Sequence, residues 1–182
     1  EHATWDALAE SGLLALAVPE AHGGEGLGLA EIAVLLHGLG RAAATLPVWE
    51  TVCTGVFPLA LAGSTPTQER YLPGVATGEV RLAAAVAEPG TAYPERPTTT
   101  LRDGRLNGRK VSVPIGDGVT ALLVPAVGEA HRIHVAVAPI DTTGVQVTTY
   151  LDSRGCTEAT VSFDDVAVSE VLGDNGWDVL RD

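Results

Sequence analysis

The sequence predicts an α+β protein in which an N-terminal helical domain is followed by an antiparallel β-barrel or sandwich. Three observations carry this. Apolar residues recur at helical spacing through the first 78 residues, the period changes to β-branched runs and alternation at Val80, and Asp103-Gly104 separates two of those runs as a hairpin turn. Helices in one block and strands in another exclude alternating βαβ units. The expected boundaries are 1–78 for the helical domain, 79–173 for the β domain, and 174–182 for the start of a linker or further helix. No Ser/Gly-rich spacer separates the first two.

The helical signals run in order. Trp5, Leu8, Ala9, Gly12 and Leu13 share a face, and Gly12 is placed to end that helix. A loop with four glycines in six positions, Gly23 to Gly28, marks a sharp bend or a close approach. Leu29, Ile32, Ala33, Leu36 and Leu39 form a second stripe, closed by Gly40-Arg41. A third helix spans Pro47 to Leu61, with Pro58 expected to kink it. Thr65 as cap, Pro66 at the first position and Gln68 closing a capping box open a fourth. These stripes face more than one direction and carry few large side chains, so the helical part is expected to need a partner surface.

The strand signals follow. Val80 to Val86 reads as a buried strand bounded by Glu88-Pro89-Gly90, and Thr98–Leu101 and Leu106–Val113 flank the hairpin turn. Further strands are expected over Val119–Val127, Ile133–Ile140, Val145–Tyr150 and Thr157–Phe163. Asp164-Asp165 would point to opposite faces of a regular strand, which argues for a solvated strand end over an acid–base pair.

Composition narrows the function. Twenty-three acids oppose eleven bases, a net charge of −12, which excludes a nucleic-acid surface. Lys110 is the sole lysine, and the arginines are scattered singly. No apolar run is long enough to span a membrane and no secretory signal is visible, so a cytoplasmic location is expected. Cys53 and Cys156 read as free thiols, and His131 and His134 as polar positions at a strand entrance rather than zinc ligands. The chain has no methionine, begins at Glu1, and is 46% hydrophobic with a mean hydropathy of +0.21. A fragment whose surface is partly covered by something else is the expectation. The glycine loop lacks the spacing of a phosphate cradle and is read as a helix connector.

The landmarks, in order, resemble the acyl-CoA dehydrogenase family across nearly the whole chain. Val18-Pro19-Glu20 with Gly23-Gly24, then a helix ending Gly38-Leu39-Gly40-Arg41, are similar to its first domain. Ala87-Glu88-Pro89-Gly90 resembles the family's Thr-Glu-Pro-Gly, and Leu106-Asn107-Gly108-Arg109-Lys110 resembles its Leu-Asn-Gly-x-Lys. Phe163-Asp164-Asp165-Val166-Ala167-Val168 with Leu172-Gly173 is similar to the end of its middle domain.

The resemblance implies a flavin-dependent α,β-dehydrogenation of an acyl-CoA, with FAD against the β domain and lipid or fatty-acid β-oxidation as the setting. It implies Val86, Ala87, Glu88, Tyr93, Ser112, Val113 and Pro114 as the cofactor-binding set, Tyr93 also facing substrate. The family's glutamate base belongs to a C-terminal helical bundle that this chain does not include, so no catalytic residue is assigned. Homo- or heterotetramers and an electron-transfer flavoprotein as acceptor are the implied partners. Ala87 replaces a threonine, Ala92-Tyr93-Pro94 replaces Gly-Ser-Asp, and Ser112-Val113-Pro114 replaces Trp-Ile-Thr. Those departures imply an alternative, a non-catalytic partner subunit of a heterotetramer with a degenerate FAD site.

Overall fold

In a computed structural model, residues 2–116 and 118–173 are described, and their contacts divide into two compact units, Glu1–Leu82 and Ala83–Asp182. The helix start expected near Trp177 lies outside the described residues.

The first unit contains α1 (His2–Glu10), α2 (Leu29–Arg41), α3 (Val48–Thr51), α4 (Phe57–Ala62) and α5 (Thr65–Ala76). Gly12 ends α1 in the left-handed region, at φ +75°. Trp5 is buried, donates its indole N–H to the Gly78 carbonyl at 2.9 Å, and lies 4.2 Å beneath the Arg81 guanidinium. The glycine loop is a packing feature. A Cβ on Gly24 would overlap the Val18 carbonyl oxygen, and Gly23 sits at φ +86°. Two expectations shift here. The Pro47–Leu61 helix contains a π turn over Val52–Val56, where the Phe57 N–H reaches the Val52 carbonyl. That wider turn relieves the clash Pro58 would have with the carbonyl four residues back. The cap of α5 is Ser64, not Thr65: its hydroxyl accepts from the Thr67 N–H. Gln68 instead donates to the Ala60 and Gly63 carbonyls and ties α4 to α5.

The second unit is an eight-stranded mixed sheet, so the fold is α+β. Its strands are β1 (Leu82–Ala84), β2 (Thr100–Arg102), β3 (Arg105–Val113), β4 (Ala121–Val127), β5 (Ile133–Pro139), β6 (Val145–Leu151), β7 (Thr157–Ala167) and β8 (Val171–Leu172). The order is β6-β7-β3-β2-β4-β5-β8, with β1 against β4. The β2/β3, β3/β7, β4/β5, β5/β8 and β6/β7 pairs are antiparallel, while β2 meets β4 in parallel at Thr100 and Val127. Asp103 (φ +50°) and Gly104 (φ +69°) make the hairpin turn, the pair of positive angles a type I′ turn requires. Leu106, Val113, Leu122, Val124, Val161, Phe163 and Val166 fill the core beneath it.

The sheet has a seam. β3 and β4 are not neighbours, and the space between them is filled by two short segments. β2 pairs with Arg105–Asn107 of β3 and with Val127 of β4. Further along, Ala85 donates to the Leu123 carbonyl at 2.8 Å, and Ala87 accepts from the Val111 N–H at 2.9 Å. The regular strand expected over Val80–Val86 therefore narrows to Leu82–Ala84, and the chain beyond it crosses the seam. Among the described residues no helix is long and apolar enough to cross a membrane, and no His/Cys/Asp/Glu group is arranged to hold a metal.

Candidate functional site

Two bulges shape β3. Leu106 faces Val166 while Gly108 faces Phe163, so β7 carries an extra residue at Asp164–Asp165. Asp165 adopts φ +51°, and its N–H, turned out of the ladder, is accepted by the Asn107 side chain at 2.9 Å. Both aspartates are exposed, because the bulge breaks the alternation expected of a regular strand. The second bulge lies between Lys110 and Val113, with Ser112 at φ +47°. Its N–H donates to the Tyr150 hydroxyl at 3.0 Å, and the two hydroxyls lie 3.3 Å apart. Tyr150 belongs to β6, two strands away, so its side chain reaches over β7.

The two segments singled out by the sequence meet here. The Val111 N–H to Ala87 carbonyl bond places the 86–87 backbone beside the residue that precedes Ser112. Val86, Ala87 and Pro114 are half-buried and Ser112 is exposed. The Val113 side chain instead belongs to the core, 1% exposed, so any contact it makes outward is through its backbone. Tyr93 lies in the loop before β2 with 52% of its surface open.

Glu88 is different in kind. Glu88 and Thr91 exchange backbone hydrogen bonds at 2.9 Å around Pro89 and Gly90, the latter at φ +87°, the residues a type II turn demands. Its side chain is 2% exposed and its carboxylate accepts five hydrogen bonds. Oε2 takes the Thr98 N–H (2.6 Å) and hydroxyl (2.7 Å), and Oε1 takes the Thr99 N–H (3.0 Å), the Thr99 hydroxyl (2.7 Å) and the Lys110 ammonium (2.8 Å). Lys110 is fully buried and also approaches the Val86 carbonyl at 3.4 Å. Burial alone would raise the Glu88 carboxyl, but the bonds from Lys110, Thr98 and Thr99 outweigh it and bring it down to about 2. Burial pulls Lys110 below its usual value, with Glu88 opposing that pull.

Gly108 makes this convergence possible. It sits at φ +148°, and a Cβ there would come 2.7 Å from the Thr99 Cα. In the sequence Thr98, Thr99 and Tyr150 read only as strand residues, and Lys110 only as the sole lysine and a motif position. One signal was present: Lys110 falls in phase with the inward-facing Leu106, and a lysine on a buried face requires an acidic partner.

The comparisons with known proteins agree with this architecture. Residues 1–79 match the family model for the acyl-CoA dehydrogenase N-terminal domain. The acyl-CoA dehydrogenase FadE28 of Mycobacterium tuberculosis is 41% identical over 167 residues, 92% of this chain and 48% of that protein. A variant of the Tcur3481-Tcur3483 steroid ACAD superposes with a TM-score of 0.90 at 33% identity, over 99% of this chain and 49% of that one. The acyl-CoA dehydrogenase of Bacillus anthracis, solved in complex with FAD, gives 0.82 at 26% identity over 93% of this chain and 32% of that one. Residues 1–79 thus match the acyl-CoA dehydrogenase N-terminal domain, and the chain is similar to acyl-CoA dehydrogenases over nearly its whole length. It spans about half the length of the curated relatives it matches.

Proposed function

We propose that this chain supplies the cofactor-facing β wall of a flavin-dependent dehydrogenase acting on acyl-CoA thioesters. The observation that carries the reading is the Ala87–Val111 hydrogen bond, which puts the two family segments side by side on one surface. The groups there suit one edge of a flat, polar heteroaromatic ring. Val86, Ala87 and Pro114 offer uncharged, half-buried surface, and Ser112 and Tyr150 offer hydroxyls at the bulge. FAD, when bound, supplies the hydride acceptor; these residues would bind and orient it.

The finer parts of the proposal are an α,β-dehydrogenation, an electron-transfer flavoprotein as acceptor, and a homo- or heterotetramer in the cytoplasm. General-base catalysis requires a base within about 3 Å of the proton removed, and no side chain is assigned that role in this chain. Protein expressed from the complete gene should purify with the visible absorbance of oxidised flavin and bleach on addition of an acyl-CoA. Flavin that no acyl-CoA bleaches would favour the partner-subunit reading, and a protein that takes up no FAD would overturn the flavin site itself.

A further inference from the structure

We propose that Glu88 and Lys110 are positioning residues for the cofactor-facing segment, setting where the Val86–Ala87 backbone stands relative to the Ser112 bulge. The inference rests on the flavin reading above. It starts from an energetic oddity. A buried ion pair is often no more stabilising than apolar residues of the same volume, because desolvating two charges offsets their attraction. What the pair offers that an apolar contact does not is direction. An apolar cluster tolerates sliding, whereas five hydrogen bonds converging on one carboxylate fix its neighbours to a fraction of an ångström.

The placement of those bonds is the second strand of the inference. Glu88 directly follows Ala87, and Lys110 directly precedes Val111, whose N–H holds the Ala87 carbonyl. The ammonium binds the Glu88 carboxylate at 2.8 Å and approaches the Val86 carbonyl at 3.4 Å, so one cation orients both ends of the 86–88 segment. Ser112 is two residues further along β3. Thr98 and Thr99 fasten the same carboxylate to the segment that enters β2, and the bare Gly108 lets that segment lie close enough to do so. Three segments of chain are thus registered on one side chain that has no free lone pair directed at a ligand.

The test separates position from stability. Lys110→Met and Glu88→Leu each leave the other charge buried without its counter-charge, so each should lower the unfolding midpoint and weaken FAD binding by about tenfold or more. The double variant Glu88→Leu/Lys110→Met removes both charges and should regain the part of the midpoint lost to the unpaired charge, while the buried Thr99 donors stay without their acceptor. A positioning role requires that it remain about tenfold or more weaker for FAD, with an altered flavin visible spectrum. Return of FAD affinity and spectrum together with stability would overturn the proposal. Should the double variant stay unstable, Leu172→Ala, a cavity in the buried β8 of the same unit, serves as reference. FAD loss beyond that of the reference supports the proposal, and equal loss overturns it. Absence of FAD binding by the unaltered protein would instead overturn the flavin reading, and this inference with it.

Discussion

Replacing Glu88 by Gln keeps the side chain's shape but changes its chemistry, because an amide presents one acceptor oxygen and one donor nitrogen. At least two of the four Thr98 and Thr99 donors then face an N–H group, and Lys110 loses its counter-charge in a fully buried setting. The size of the effect follows from the carboxyl's position. A shift from 4.5 to about 2 corresponds to roughly 3 kcal/mol of stability, taking about 1.4 kcal/mol per unit. The sign is that of a depressed acid: the contribution is complete above about 4.5 and is lost as pH falls toward 2. Lys110, pulled below its usual value by burial, costs part of this to charge, so the pair's net contribution is smaller than the cost of breaking it. Urea unfolding followed by far-UV circular dichroism should show Glu88→Gln destabilised by about 3 kcal/mol at neutral pH. The gap to the unaltered protein should then narrow below about pH 4.5, with more than half of it gone by about pH 3. A gap under about 1 kcal/mol, or one that stays constant through that window, would refute the reasoning.

Gly108→Ala forces Cβ against the Thr99 backbone and should cost about 2 kcal/mol or more, read as a lower thermal midpoint; an unchanged midpoint would show that the strands part easily. Tyr150→Phe removes the acceptor for the Ser112 N–H at an exposed bulge. It should cost at most about 1 kcal/mol, while the Ser112 amide exchanges with solvent markedly faster; unchanged exchange would mean the bond is not held in solution. Ala87→Thr restores a hydroxyl at the half-buried wall and is expected to tighten FAD binding several-fold, measured by titration of the apo-protein. No gain there would count against that face of Ala87 meeting the flavin.

What was legible in the sequence was what is decided locally. Asp103-Gly104 announces its turn because both residues must adopt positive φ, and Gly12 ends α1 for the same reason. Ser64 and Thr65 are both capable caps beside a proline tolerated at either of the first helical positions, so the register of α5 was ambiguous by one residue. The apolar run at Val80 reads as buried and residues 81–85 are, yet burial does not dictate pairing, and only three of its residues join a strand. The two bulges leave no compositional mark, which is why the strand-alternation argument for Asp164 and Asp165 does not survive the fold. The Glu88 cluster was hidden by distance. Its carboxylate and ammonium are 22 residues apart in sequence, and its threonines read as the start of a strand whose regular part begins only at Thr100.

The seam between β3 and β4 changes how this sheet should breathe. In most sheets the interior strands are the last to open and the edges fray first. Here β7 is held along eleven residues and β4 along seven, while the material joining those two blocks is a three-residue strand and a short crossing segment. The centre is therefore the thinnest part of the sheet, and opening is expected to start there. The salt-bridged carboxylate sits at that line, and its bonds tie the 86–88 backbone, Thr98–Thr99 and β3 together where the ladder itself is shortest.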